Sequence, residues 1–238
     1  MRVDTELVEG RFLSRDNRFL VAVEVAGQAV WAHLPNSGRL GELLIHGRRA
    51  LVARRAAPGR KTDYDLVMVQ DSEEWVSLDA RLPNRLVAEA IEAGQLEPLS
   101  GYRALRREVA FGTSRFDLRL DHPDRRPCLV EVKSVTLVVD GLGCFPDAVT
   151  ARGRRHVLEL AEAVAAGYRA AVVFVVQRQG AEGFRPHDES DPDFGAALRE
   201  AAGRGVEVYA YACQVEPNRI KLDRPLPIHL GSPSPSEP

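Results

Sequence analysis

The chain has 238 residues, 45% of them hydrophobic and 28% charged, with a formal net charge of -2. Such a chain holds enough apolar mass for one large or two small cores. Its near-zero balance neither demands nor excludes a polyanionic partner, so any nucleic-acid surface has to come from local clustering. Cys128, Cys144 and Cys213 are too few and too scattered for a disulfide framework, and none stands in a Cys-x-x-Cys pair of the kind that binds zinc. The first residues, Met1 to Glu6, lack the apolar core of a signal peptide, and no apolar run is long enough to span a bilayer. The expectation is a cytoplasmic protein with no membrane association.

Taken in chain order, short apolar runs at Phe12-Leu13, Leu20 to Val25, Ala29 to Leu34, Ala50 to Ala53, Leu66 to Val69 and Trp75 to Leu78 alternate with turn residues. This pattern predicts a β meander. Pro35-Asn36-Ser37-Gly38 reads as a turn, with Ser37 capping a short helix through Leu40, Leu43 and Leu44. Roughly five strands with an inserted helix predict an OB-fold-like β-barrel over residues 1–81. From Leu82 the period becomes helical at Leu86, Val87, Ala90 and Ile91, with Gly94 as a stop. Arg107 to Phe111, Arg115 to Leu120 and Pro127 to Val135 then form an antiparallel meander. A helix from Arg152 to Ala166, a strand from Ala170 to Val176, a helix from Phe194 to Ala202 and a strand from Val206 to Ala212 follow. Strands alternating with helices imply parallel pairing, and the unbroken Val172 to Val176 suits a strand covered on both faces. The fold class is therefore α/β (α+β overall), with a mixed sheet flanked by helices over residues 82–230 and a disordered tail over 231–238.

Chemistry concentrates on two of these strands. In Leu129 to Lys133, alternation places Leu129, Glu131 and Lys133 on one face and Val130 and Val132 on the other. In Arg115 to Leu120 it places Phe116, Leu118 and Leu120 on one face with Asp117 opposite, and the meander makes the two strands neighbours. Carboxylates meeting inside a sheet repel and lose hydration unless a proton, a cation or a metal offsets them. Oxygen donors favour Mg²⁺ or Mn²⁺, so Asp117 and Glu131, with the Val132 carbonyl and with Glu89 from the preceding helix, form a candidate metal set. A metal there would polarise a phosphodiester and acidify a bound water, with Lys133 orienting that water. A competing account is an exposed Glu131–Lys133 ion pair, worth almost nothing.

The order of these elements resembles the PD-(D/E)xK nuclease superfamily. The words His33-Leu-Pro-Asn-Ser-Gly-Arg39, Glu131-Val-Lys-Ser-Val-Thr-Leu137, and Phe145-Pro-Asp-Ala148 followed by Arg152, Gly153 and His156 resemble the sugar fermentation stimulation protein A family, from about Leu7 to Leu230. The resemblance implies an OB-like barrel joined to a nuclease-like domain, with DNA binding, and it carries nuclease-type roles onto Glu89, Asp117, Glu131 and Lys133. Where that family pattern calls for a lysine before the helix histidine, this chain has Arg155, which keeps the charge but not the compact ammonium.

Arg152, Arg155, His156 and Glu159 share one helix side, so His156 is a candidate contact for a phosphate or leaving group and Arg152 for nucleic acid. Asp147, after Pro146, reads as turn chemistry. Asn36, Ser37 and Arg39 offer loop amides and a guanidinium to phosphate. Arg48, Arg49, Arg54, Arg55, Arg60 and Lys61 form a basic stretch with few compensating acids, a candidate backbone track, while Phe19 and Trp31 are assigned to the core ahead of a role stacking on bases. The expected function is a Mg²⁺- or Mn²⁺-dependent nuclease acting on nucleic acid, DNA ahead of RNA. The alternative is a DNA-binding transcriptional regulator of sugar metabolism genes without catalytic activity.

Overall fold

The computed structural model describes residues 6–55 and 58–231. Its first part is built from β1 (Leu7–Asn17), β2 (Leu20–Val25), β3 (Gln28–His33), β4 (Arg49–Arg54), β5 (Tyr64–Asp71) and β6 (Glu74–Ser77). Antiparallel pairing runs in the order β3-β2-β1-β4-β5-β6, and a parallel contact of Ala32 and His33 with Tyr64 and Asp65 joins β3 to β5. That contact closes a five-stranded, OB-like barrel, as the sequence predicted. Alternation sends Val21, Val23 and Val25 of β2 inward to meet Phe12, Ala32, Leu34, Leu66 and Val69. The β2–β3 turn is Ala26-Gly27, both at positive φ, the two-residue geometry that matches strand twist.

The helix expected from Ser37 through Leu44 does not form. Residues 34–48 run through turns, Leu40 takes a φ of 52°, and the Arg39 and Leu40 N–H groups donate to the distant Asp147 carboxylate instead of starting a helix. Leu40 and Leu43 still bury, plugging the barrel, so the apolar spacing serves a packed loop.

Strands β4 and β5 are buried on both faces. Leu51, Ala53, Val67 and Met68 leave the barrel interior and pack with Leu86, Val87 and Ile91 of α1 (Leu82–Glu92), in one core with Leu118, Leu120, Val130 and Val132. This explains why Leu66 to Val69 reads as a continuous apolar run. α1 starts with Pro83 in its first turn and stops before Gly94, whose φ is 68°.

The second sheet has six strands among the described residues. β7 (Ala104–Phe111), β8 (Ser114–His122) and β9 (Arg125–Val135) form the expected antiparallel meander. β9 then pairs in parallel with β12 (Arg169–Val176), which pairs in parallel with β14 (Glu207–Glu216), and β15 (Arg219–Pro225) closes the edge antiparallel. The crossover helices α2 (Ala151–Ala165) and α3 (Pro192–Gly203) share one face, where Val157, Leu160, Phe194 and Leu198 meet Val172 and Phe174. α1 and the barrel cover the other. A small sheet of β10 (Val138–Val139), β11 (Leu142–Phe145) and β13 (Gly183–Pro186), unforeseen in the sequence, shapes the chain between β9 and α2. Beyond Gly231 the segment expected to be disordered lies outside the described residues. No helix of the described residues is long and apolar enough to cross a membrane.

Candidate metal and phosphate site

Strand β9 carries Glu131 and Lys133 on the face toward α2, where alternation placed them. Lys133 Nζ donates to Glu131 Oε1 at 2.6 Å, and the side chains are only 11% and 5% exposed. The account of a solvated surface pair therefore fails. His156 of α2 is also buried and lies 2.5 Å through Nδ1 from the same Oε1. Arg152 Nε reaches His156 Nε2 at 3.3 Å. A guanidinium only donates, so Nε2 accepts and the proton sits on Nδ1, which donates to Glu131. His156 thus faces inward and positions Glu131 rather than facing a phosphate, a correction imposed by its burial. Arg152 is exposed at the rim. Arg155 is exposed beside it, and Ser114 Oγ accepts from its Nε at 3.5 Å.

Asp117 enters from β8, though not by the expected alternation. Phe116 packs in the core under α2, whereas Leu118 and Leu120 pack in the core under α1. The reason is local. Opposite Asp117 on β7, Glu108 takes a φ of 54° and its register step is skipped, and the paired residues of β8 and β9 begin only at Leu118 and Val130. In place of ladder bonds, the Val132 N–H donates to Asp117 Oδ2 at 2.7 Å, and Asn84 Nδ2 of α1 donates to Oδ1 at 2.5 Å. Val132, expected to offer a carbonyl, enters the site through its N–H. Asn84 escaped the sequence reading, and its sole local signal is the Leu82-Pro83-Asn84 helix start.

Glu89 does not join this group. It is exposed on α1, where Arg85 pairs with it at 3.8 Å. Among the described residues, no three of His, Cys, Asp and Glu converge as a ready metal set. The two carboxylates nevertheless suit a cation. Burial, and then the charge of Glu131, push Asp117 up to about 7. Burial opposes ionisation of Glu131, but the His156 hydrogen bond and Lys133 outweigh it and hold that carboxylate below its usual range. Its second oxygen, Oε2, is buried without a hydrogen-bond partner. An orphaned carboxylate oxygen beside a destabilised aspartate is a donor set short of positive charge, and a hard divalent ion fits it.

The site opens into a cleft of about 610 Å³ lined by Arg18, Asn36 and Ser37 from the barrel side and by Lys133, Thr136, Phe145 and Arg152 from the other. Asn36 is fixed by its Nδ2 bond to the Leu78 carbonyl, and its Oδ1 accepts from the Gly38 N–H. A side chain at Gly38 would meet Asp147 Oδ2 at 2.5 Å, so only glycine allows that carboxylate to approach. Asp147 is thus a long-range clamp rather than turn chemistry, and it already holds the loop amides that were expected to bind phosphate. Arg39 lies beyond the clamp, in a neighbouring recess with His187 and Glu189. The basic stretch is largely compensated: Arg48 pairs with Asp71, Arg49 with Glu9, and Arg55 and Arg60 with Asp65. Arg54 and Lys61 are exposed. Phe19 and Trp31, assigned to the core, are instead 46% and 51% exposed.

Fold and site together define a two-part protein in which an OB-like barrel walls one side of a cleft and an acid–lysine strand the other. Residues 13–78 match the family model described as the SfsA N-terminal OB domain, and residues 81–219 match the Sugar fermentation stimulation protein RE domain. The chain belongs to the sugar fermentation stimulation protein family. It is 46% identical over 231 residues to a sugar fermentation stimulation protein homolog of Moorella thermoacetica, covering 97% of this chain and 100% of that one. To the homolog of Chloroflexus aurantiacus it is 47% identical over 222 residues, covering 93% and 85%. The solved structure of Pyrococcus furiosus SfsA in complex with Ca2+ matches with a TM-score of 0.89 at 32% identity, over 96% of this chain and 98% of that one.

Proposed function

We propose that this protein is a metal-dependent nuclease that takes DNA into the cleft between the barrel and the mixed sheet. The observation that carries the reading is the buried, unpartnered Glu131 Oε2 beside an Asp117 pushed up to about 7. Asp117 and Glu131 would hold Mg²⁺ or Mn²⁺, an ion that supplies Lewis acidity and a more acidic water to phosphodiester hydrolysis. The Pyrococcus furiosus relative, solved in complex with Ca2+, supports a hard divalent cation at the equivalent fold.

The remaining work falls to the chain's own groups. Lys133 Nζ spends one donor on Glu131 Oε1 and lines the cleft, where its other N–H bonds serve the oxygens of a scissile phosphate as charge builds there. His156 and Lys133 both load Oε1, leaving Oε2 to the ion. Asn84 and the Val132 N–H fix both oxygens of Asp117. Arg18, Arg152 and the polar Asn36 and Ser37 hold flanking backbone phosphates. The test is purified protein with Mg²⁺ or Mn²⁺ and end-labelled DNA and RNA. Products should appear with the wild type and vanish with Glu131→Gln and Lys133→Ala; cleavage that both variants retain sinks the reading.

One observation favours a second reading, a DNA-binding regulator without turnover. Among the described residues no three His, Cys, Asp or Glu side chains form a group that could hold a metal ion. A regulator would bind DNA equally with and without chelator and cut nothing.

A further inference from the structure

We propose that the barrel presents a stacking platform for unpaired bases, so that the cleft takes single-stranded DNA rather than intact duplex. The inference rests on the nucleic-acid reading of the cleft and adds the substrate class and the residues that select it. On β3, burial alternates so that Ala32 points into the barrel while Trp31 and His33 point out. The Phe19 ring, from the turn between β1 and β2, lies 6.1 Å from the His33 ring at an interplanar angle of 30°. Phe19 and Trp31 are the only exposed large aromatics among the described residues; Trp31 and His33 share the outer side of β3, and Phe19 meets His33 from the turn before β2. Two such rings left bare in water by a soluble barrel mark a ligand surface.

Charge identifies the ligand. His33 is the register partner of Asp65 across the parallel β3–β5 contact, and Arg55, Arg60 and Arg81 gather on that buried carboxylate. With Asp79 as the second acid of the cluster, the guanidiniums outnumber the carboxylates beside the aromatic row. Flat apolar faces beside surplus positive charge suit bases on a polyanionic backbone, and a neutral saccharide has no use for the charge. The platform is continuous with the site. Arg18, next to Phe19 in the chain, lines the same cleft as Lys133, and Arg15 ties the Arg18 carbonyl to the carbonyls of Gly38 and Arg39 through one guanidinium. In a duplex the bases are already stacked on each other and offer no free face to these rings.

The test measures anisotropy of labelled oligo-dT of roughly 16 nucleotides, a length that one OB barrel can cover, and of a blunt duplex of the same length, with chelator present to prevent cutting. Trp31→Ala and Phe19→Ala should each weaken oligo-dT binding roughly tenfold, the worth of one base stack. Both variants should bind the duplex and divalent ions as the wild type does. Unchanged oligo-dT affinity in both variants overturns the platform, as does duplex binding alone or protection of Trp31 by a maltooligosaccharide in place of oligo-dT. If oligo-dT binding behaves as expected and nothing is cut with any metal, the nuclease reading falls and the platform stands. If neither probe binds, both fall.

Discussion

Two buried acidic sites meet the start of α1, Asp65 through Arg81 and Asp117 through Asn84, and they are built in opposite ways. On the barrel, Asp65 is enclosed by Arg55, Arg60 and Arg81, more positive charge than one carboxylate requires. On the mixed sheet, Asp117 and Glu131 share a single nearby ammonium, and neutral His156 and Asn84 supply the other side-chain donors. The first arrangement satisfies its carboxylate with guanidinium charge to spare. The second leaves Glu131 Oε2 unpartnered and Asp117 reluctant to ionise. Burial alone therefore does not mark a reactive acid; the balance of cations around it does.

Substitution sharpens this contrast most strongly at the sheet. Glu131→Gln or Lys133→Ala should lower DNA cleavage by on the order of 10³-fold, as loss of a group that stabilises developing charge does, while circular dichroism shows the fold retained. Next in size, Asn84→Ala and His156→Ala each loosen a carboxylate without removing it, and should weaken divalent-ion affinity by about 10–100-fold in calorimetry. Equal affinity in both would show that these groups do not position the acids.

Stability should separate the two sites by sign. Asp65→Asn is expected to cost about 1–3 kcal/mol in denaturant unfolding, with or without divalent ions, because the arginines lose the shared negative charge and one of its two accepting oxygens. Asp117→Asn should leave the metal-free protein at least as stable at pH 8, since it removes a charge that the fold opposes. For Asp117 the folded protein binds its proton more tightly than an unfolded chain with the ordinary value of 3.8. Its contribution is thus fully present below that value and is lost as pH rises through about 7. Thermal melts of chelated protein should fall across this window, and Mn²⁺ should flatten the fall. The smallest effect belongs to Glu89→Gln, which alters an exposed pair worth a few tenths of a kcal/mol and should leave cleavage intact; a large loss there would restore Glu89 to the site.

Much of this was legible in the sequence, for reasons that are local. The common face of Glu131 and Lys133 follows from the two-residue period of a strand, and the barrel and meander follow from short alternating runs between turns. What escaped was set at a distance. The break at Asp117 depends on Glu108, a residue of the adjacent strand, and Asn84 reaches Asp117 from a helix that sequence places 33 positions earlier. Asp147 looked like a turn residue because nothing near it announces the loop amides it holds. Trp31 escaped because aromatic strand residues are usually buried and only the closed barrel reveals which face points out, and Phe19 because it stands in a turn that the apolar run beside it hides. Strands as short as Val138–Val139 carry too few residues for any period to register.

The double-sided burial of β4 and β5 bears on how the molecule comes apart. Leu51, Val67 and Met68 are buried by α1 and the mixed sheet, not by the barrel they belong to. Each contributes about 1.5–3 kcal/mol only while the other half is in place. The two halves should melt in one cooperative transition, and a fragment ending at residue 81 should expose a sticky apolar flank and aggregate. Motion that opens the cleft must therefore come from its loops, because a hinge between the halves would tear the core they hold in common.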